Sequence, residues 1–275
     1  PQEGFDEVYN WGTFNFDDSP LFLLKFIKGE TDYFLSGNTY NYLVASYAYS
    51  NSTVQEQILD LNTQEKEILV NILVDNLQPE NLVYRYNFLF DNCTTRIRDI
   101  IEKSAGSSLI YPDQKDKVTF RQLIHSCTAP YPWMTFGIDL LIGSGADSLI
   151  SLREEMFLPV KLMEALDESY IVNDGKEGIN RPLVSFNHEI IRAKPQETFS
   201  VFLISSPLYT GWMVFFIFLV LAIIGILKRR EFKGVFCILF FMGGVAGSII
   251  GFLILFSTHP CVSPTWNILW LHPFH

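Results

Sequence analysis

"LYTGWMVFFIFLVLAIIGIL" at residues 208–227 and "VFCILFFMGGVAGSIIGFLILFS" at residues 235–257 hold no charged side chain, and these two runs decide how the rest of the chain is read. At about 1.5 Å of rise per residue, each is long enough as a helix to cross a hydrocarbon layer of about 30 Å. Between them, "KRREFK" sets Lys228, Arg229, Arg230 and Lys233 against Glu231 alone. Short basic loops of this kind stay in the cytoplasm. The spans therefore form a hairpin with its tip inside, and everything before Leu208 and after Ser257 lies on the far side of the membrane.

The composition agrees with that division. Hydrophobic residues make up 48% of the 275-residue chain and aromatics 15%, more apolar than a soluble domain of this size. Removing the loop's four basic residues and one acidic residue from the chain's 20 and 30 leaves 16 and 29, a net of −13 for the part before the spans. No basic run of the sort that binds nucleic acid or anionic lipid occurs there, so a nucleic-acid partner is excluded. The sequence divides into an extracytoplasmic domain over 1–207, a transmembrane hairpin over 208–257, and the start of a further periplasmic or membrane segment over 258–275. An exported domain requires an export signal, yet the chain opens at Pro1 with neither a basic n-region nor an apolar h-region. Its start reads as cut, and so does its apolar end, "SPTWNILWLHPFH".

Four cysteines are too few and too scattered for a disulfide framework. Cys237 lies inside the second span and Cys261 just beyond it, while Cys93 and Cys127 are free to pair only if the fold brings them together. No CxxC, HExxH or Cys/His cluster points to a metal, and no motif points to a cofactor.

The patterning before the spans predicts a mixed α/β domain. "EVYNWGTFNF" at 7–16 is rich in strand formers, and "STVQEQILDL" at 52–61 is a second strand candidate. Ile68, Leu69, Ile72, Leu73 and Leu77 recur at helical spacing behind an Asn62/Thr63 cap, and Pro79 follows the end. "LVYRYNFLF" at 82–90 reads either as a buried strand or as a tight apolar approach to the next helix. Thr119–Ser126 and Leu152–Leu166 read as helices, the second restarting at Pro159.

"DNCTTRIRDII" at 91–101 carries the chemistry. With Asn92 as N-cap, Cys93 takes the first helical position, where unpaired N–H groups and the positive end of the helix dipole stabilise an anion such as a thiolate. Arg96 on the first turn adds positive charge, and such surroundings activate a thiol. The first-turn amides, with Thr94 the candidate, could hold the oxyanion formed when the thiolate attacks an acyl carbon. Cys93, Ile97, Ile100 and Ile101 share one face, so the helix can pack while its first turn opens on a cleft. The alternative stands beside this: a free cysteine heading an apolar face is more often core than nucleophile.

A thiol nucleophile wants a base, usually histidine. His125 falls in a helix and His188 after a strand, both ordinary structural places. His259 returns to the outer side after the second span, and His272 and His275 sit in the tail. None of the five identifies itself as the base. Trp133, Met134 and Phe136 in "YPWMTFGIDLLIG" either meet the membrane interface or line an acyl groove, unless they belong to an ordinary packed loop.

"YRYNFLFDNCTTRIRDII", with "VYNWGTFNF" before it and "FRQLI", "PWMTFGIDLLIGSGADS", "EEMFLPVKLMEAL" and "HPCVSPTWNILWLHP" after it, resembles the Lnb-type lipoprotein N-acyltransferases, a bacterial envelope family. The resemblance runs over nearly the whole chain. It implies an α+β fold with a papain-like (NlpC/LRAT-like) periplasmic domain followed by membrane helices. It also implies a thiol acyltransferase that forms a thioester on Cys93 and acylates the amino-terminal cysteine of bacterial lipoproteins, with Asn92 orienting the turn. The acyl donor would be a membrane phospholipid or a lipoprotein, and no cofactor is involved. In that family a Phe-Gly-His segment before the "VYN" strand supplies the histidine. This sequence begins after that point, so the resemblance implies that the 275-residue chain alone is impaired. Two other readings of the same residues are a cell-wall cysteine peptidase or amidase and a non-catalytic membrane-tethered binding protein.

Overall fold

The computed structural model describes residues 6–15, 24–26, 28–172, 180–194, 206–229, 232–259 and 261–271. Phe16, Arg230, Glu231, His272 and His275 of the sequence reading lie outside the described residues. The chain divides into two compact units, one of Pro1–Lys117 with Ile150–Gln196 and one of Val118–Leu149 with Glu197–His275. The stretch 118–149 thus clusters with the apolar helices rather than with the rest of the extracytoplasmic sequence.

The first unit is α+β. β1 (Glu7–Thr13) and β2 (Asp32–Thr39) run antiparallel with Glu7 opposite Thr39 and Asn10 opposite Ser36, and β2 continues to β4 (Val83–Arg85) with Tyr33 opposite Tyr84. β3 (Val54–Leu59) pairs antiparallel with β8 (Val184–Ile191), and β5 (Leu109–Ile110), β6 (Tyr170–Ile171) and β7 (Arg181–Pro182) form a third, short sheet. The helices between them are α1 (Tyr40–Tyr49), α2 (Thr63–Asn76), α3 (Cys93–Ala105), α6 (Leu152–Glu155) and α7 (Pro159–Asp167). The stretch 82–90 resolves as the short β4 followed by a turn closed by an Asn87–Asp91 bridge.

Local chemistry starts and stops these helices. Asn62 accepts from the Glu65 amide while the Glu65 carboxylate accepts from the Asn62 amide, a reciprocal cap. α3 is capped in the same manner by Asn92 and Thr95, and ends at Gly106, whose φ of +68° suits glycine. α3 then lies between two apolar clusters. Ile101 and Ala105 pack with Leu61, Met156, Leu162, Ala165, Leu166, Ile171, Leu183 and Val184. Ile100 packs with Trp11, Leu35 and Tyr84 on the first sheet. A helix gripped on both sides holds its first turn in a fixed place. The expected packing face is narrower than the sequence spacing implied, because Ile97 is 40% exposed.

The second unit holds α4 (Phe120–Thr128), α5 (Pro132–Leu141), α8 (Pro207–Lys228) and α9 (Lys233–Phe256). Proline opens both α5 and α8 at the first helical position, where its missing N–H costs nothing. α8 and α9 have mean hydropathies of 2.6 and 2.4 and match the two predicted spans. The backbone of 143–144 docks on that of 261–264: Gly143 N–H donates to Cys261 O at 2.6 Å and Ser144 N–H to Pro264 O at 2.8 Å. Only a residue without a side chain fits at 143, since a Cβ there would lie 2.7 Å from the Val262 carbonyl oxygen.

Candidate active site

Cys93 is the first residue of α3 and half-buried, with its thiol free. The residue before it does most of the local positioning. Asn92 is 4% exposed, and its side-chain oxygen accepts from the amides of Thr94 and Thr95, each at 2.9 Å. Its side-chain nitrogen donates to Phe88 O at 2.8 Å and Phe157 O at 3.0 Å. Every hydrogen-bonding position of this buried amide is therefore filled. Thr95 completes the turn, its hydroxyl accepting from the Asn92 amide at 2.8 Å and donating to the Asn92 carbonyl at 3.0 Å.

These bonds decide which amides face a ligand. The Thr94 N–H, the sequence candidate for an oxyanion, is engaged by Asn92, as is that of Thr95. The Arg96 N–H closes onto the Asn92 carbonyl at 3.0 Å. Among the described residues the Cys93 N–H has no acceptor, so the first-turn donor left open sits on the same residue as the thiol.

Arg96 is placed differently from expectation. Its guanidinium grips Asp91 through two bonds of 2.6 and 2.7 Å and lies 4.1 Å above the Tyr84 ring. The hydrogen bonds it donates to Asp91 raise its pKa. Its positive charge is matched by a carboxylate of its own, so it clamps the turn to the sheet instead of acting as a free cation beside the thiol.

The wall around Cys93 is aromatic, and this part was missed in the sequence. Cys93, Tyr33 and Tyr86 pack against the Trp11–Leu35–Tyr84–Ile100 cluster, and the Tyr33 and Tyr86 rings stack at 4.1 Å. Tyr84 OH donates to Trp11 O at 2.6 Å. Burial pushes the phenols of Tyr33, Tyr84 and Tyr86 up, and negative charge at Cys93 adds in the same direction. Among the described residues the Tyr33 and Tyr86 hydroxyls have no hydrogen-bond partner. A Cβ at Gly12 of β1 would sit 3.9 Å from the Cys93 Cβ, so β1 runs beside Cys93. The readable signal was the alternation of Tyr33 and Leu35 on β2 with Tyr84 and Tyr86 near β4, four side chains aimed at one helix end.

The histidines fall elsewhere. His188 stands on β8 opposite Glu56, in a different sheet from the one whose residues pack against Cys93. His125, on α4 of the second unit, contacts the Asp139 carboxylate at 2.9 and 3.0 Å; Arg121 holds the same group at 2.6 Å and Asp147 at 2.6 Å. His259 follows the end of α9, its amide on Ser257 Oγ at 3.2 Å. Among the described residues of the first unit, no imidazole joins Cys93. Trp133, Met134 and Phe136 are on α5, all exposed, and Trp133 meets Phe136 edge-on at 6.0 Å. Cys127 is exposed and unpaired, so no disulfide joins it to Cys93. Among the described residues no His/Cys/Asp/Glu group has the arrangement to hold a metal.

An exported α+β unit with a cysteine at a capped helix start, carried on a chain with two membrane-spanning helices, defines a membrane-anchored envelope protein. The chain belongs to the Lnb family: the Lnb N-terminal periplasmic domain matches residues 3–126 and the Lnb transmembrane domain matches residues 182–275. It is an inner-membrane protein with its soluble domain in the periplasm. No curated protein and no solved structure matches the chain.

Proposed function

We propose that this protein is a lipoprotein N-acyltransferase of papain-like construction that works through a thioester on Cys93. The observation that carries the reading is the start of α3, where Asn92 occupies the next two amides and leaves the Cys93 thiol and the Cys93 N–H together and open. The thiolate attacks the carbonyl carbon of an acyl ester and forms a C–S bond. The developing oxyanion takes the Cys93 N–H and the dipole of α3 as its partners. Collapse of the tetrahedral species breaks the C–O bond, and the alkoxide leaves with the proton that the Cys93 thiol gave up on forming the thiolate. The neutral α-amine of a lipoprotein's terminal cysteine then attacks the thioester, forming the amide and returning the thiol. Tyr33 and Tyr86, kept protonated by burial, supply further O–H groups at the wall of the same site. The family membership supports a membrane-level acyl substrate over a cell-wall peptide.

The test is covalent. The whole protein, reconstituted with an alkyne-tagged acyl ester, is expected to carry a hydroxylamine-sensitive adduct on Cys93, and Cys93→Ala to carry none. Because Cys93 is half-buried at a helix start, Cys93→Ala is expected to shift the melting temperature by only a few degrees. An adduct on Cys127 instead, or a Cys93→Ala protein that still acylates a lipoprotein peptide, would overturn the assignment.

A further inference from the structure

An oxyanion is best stabilised by more than one donor aimed at the same point, and the first turn of α3 supplies a single one. The amides of Thr94 and Thr95 are held by the Asn92 side chain and that of Arg96 by the Asn92 carbonyl, which leaves the Cys93 N–H. A side chain beside the thiol can supply the second donor. Three phenols pack in the cluster that takes in Cys93, and they differ in what their hydroxyls do. That of Tyr84 donates to the Trp11 carbonyl at 2.6 Å. Those of Tyr33 and Tyr86 have no hydrogen-bond partner among the described residues. Neither is sealed in: among the described residues Thr31 Oγ1 is the one buried side-chain polar atom without a partner, so both phenol oxygens reach accessible space from half-buried rings. Thr31 belongs to the same group of hydroxyls. It lies two residues before Tyr33, on the same face of the chain, and its carbonyl accepts from the Tyr86 N–H at 3.1 Å.

Of the two open phenols, Tyr86 is the one tied to the thiol by the backbone. In the stretch between Tyr86 and Cys93, Asn87 and Asp91 exchange backbone bonds of 2.8 and 3.0 Å. Asn87 Oδ1 accepts from the amides of Leu89 and Phe90 at 3.2 and 3.1 Å, and Asn92 Nδ2 donates to the Phe88 carbonyl at 2.8 Å. The bonds that start α3 therefore also fix where Tyr86 stands. Tyr33 holds the ring from the side: it stacks on Tyr86 at 4.1 Å with an interplanar angle of 18°, and on Phe14 at 4.9 Å. Burial and the negative charge of the Cys93 thiolate push the Tyr86 phenol up, so at neutral pH it keeps its proton and serves as a donor.

We propose that the Tyr86 hydroxyl is the second oxyanion donor of the acyl-transfer site, acting with the Cys93 N–H, and that Tyr33 positions its ring. This rests on the acyltransferase reading and names a catalytic residue within it. As the Cys93 thiolate attacks an acyl ester, the C–S bond forms and the carbonyl π pair moves onto oxygen, which accepts from both donors. The pair returns as the C–O bond breaks, and Tyr86 keeps its proton throughout.

The whole protein is reacted at Cys93 with two electrophiles. p-Nitrophenyl palmitate passes through a tetrahedral oxyanion and releases p-nitrophenolate, which departs without a proton; iodoacetamide alkylates the thiolate with loss of iodide and forms no oxyanion. Tyr86→Phe removes one oxygen and keeps the ring, and is expected to slow single-turnover acylation about a hundredfold while leaving alkylation within about threefold. Tyr33→Phe keeps the stack and is expected to lose less than about tenfold in acylation, whereas Tyr33→Ala is expected to approach the Tyr86→Phe rate. Tyr111→Phe, whose hydroxyl bonds Glu102 beside the other apolar cluster, is expected to acylate at the unmodified rate. A Tyr86→Phe protein that acylates as fast as the unmodified one, or that slows in both reactions alike, would overturn the proposal, as would a larger loss in Tyr33→Phe than in Tyr86→Phe. An unmodified protein labelled at Cys93 by iodoacetamide but never by the ester would instead put the acyltransferase reading at fault, and the role of Tyr86 would fall with it.

Discussion

Replacing Asn92 with alanine tests the structural basis of the site more directly than any change to the thiol. The side chain is 4% exposed and makes four hydrogen bonds, two as acceptor from the amides of Thr94 and Thr95 and two as donor to the carbonyls of Phe88 and Phe157. Loss of the cap costs about 1 kcal/mol. The buried Phe157 carbonyl that loses its donor adds roughly 1 kcal/mol, at the low end of the range because a carbonyl has a second lone pair, whereas the Phe88 carbonyl, on an exposed residue, can turn to water and adds little. The total is about 2 kcal/mol, or roughly thirtyfold in an equilibrium constant. Hydrogen exchange read at the α3 amides in the whole protein is the appropriate assay, since protection there reports the opening free energy of that helix. Exchange is expected to accelerate roughly thirtyfold by that conversion. Asn92→Asp keeps both capping contacts but turns an acceptor toward two carbonyls, so it recovers no more than the cap. Protection in Asn92→Ala within threefold of the unmodified protein would refute the claim that this amide organises the turn.

Two further outcomes follow from other parts of the molecule. Gly143→Ala drives a Cβ to 2.7 Å from the Val262 carbonyl oxygen, which is backbone and cannot swing aside; a loss of about 1–3 kcal/mol is expected from such overpacking, seen as new protease cleavage around 261–271, and an unchanged cleavage pattern would contradict the docking. Tyr84, Tyr86 and Tyr111 all have phenols raised by burial, so their stabilising contribution is complete below the ordinary tyrosine pKa of 10.0 and is lost as pH rises through the folded-state values. Alkaline titration followed by tyrosinate absorbance should then show at least these three of the 12 tyrosines ionising only with unfolding, and a single smooth titration of all 12 would rule this out.

What was legible in the sequence is what local chemistry decides. The starts of α2, α3 and α4 are each written within four residues, as Asn62 to Glu65, Asn92 to Thr95 and Thr119 to Gln122, and the two spans are written in their lack of charge. What was not legible depends on residues far along the chain. β3 finds its partner in β8 with Gln57 opposite Asn187. Phe157 supplies an acceptor for Asn92, and the need for glycine at 143 comes from the backbone at 261–264. The domain boundary was placed by composition at 207, yet charge counts carry no information on the packing of 118–149, which clusters with α8 and α9.

The same distinction separates what the sequence shows at Cys93 from what it shows at Arg96. A helix dipole acts on whatever residue opens the helix, so the capped start is enough to place a thiol at its positive end. A side-chain charge acts through its distance to every other charge, and Asp91, five residues back, reaches Arg96 only because the Asn87–Asp91 bridge folds the chain against the helix start. The two amides that looked available in a bare helix are taken by the very residue that makes the helix begin. The cap therefore selects as well as stabilises: by holding the amides of Thr94 and Thr95, Asn92 leaves Cys93, among the described residues, as the first-turn position whose N–H has no acceptor, on the residue that also carries a free thiol.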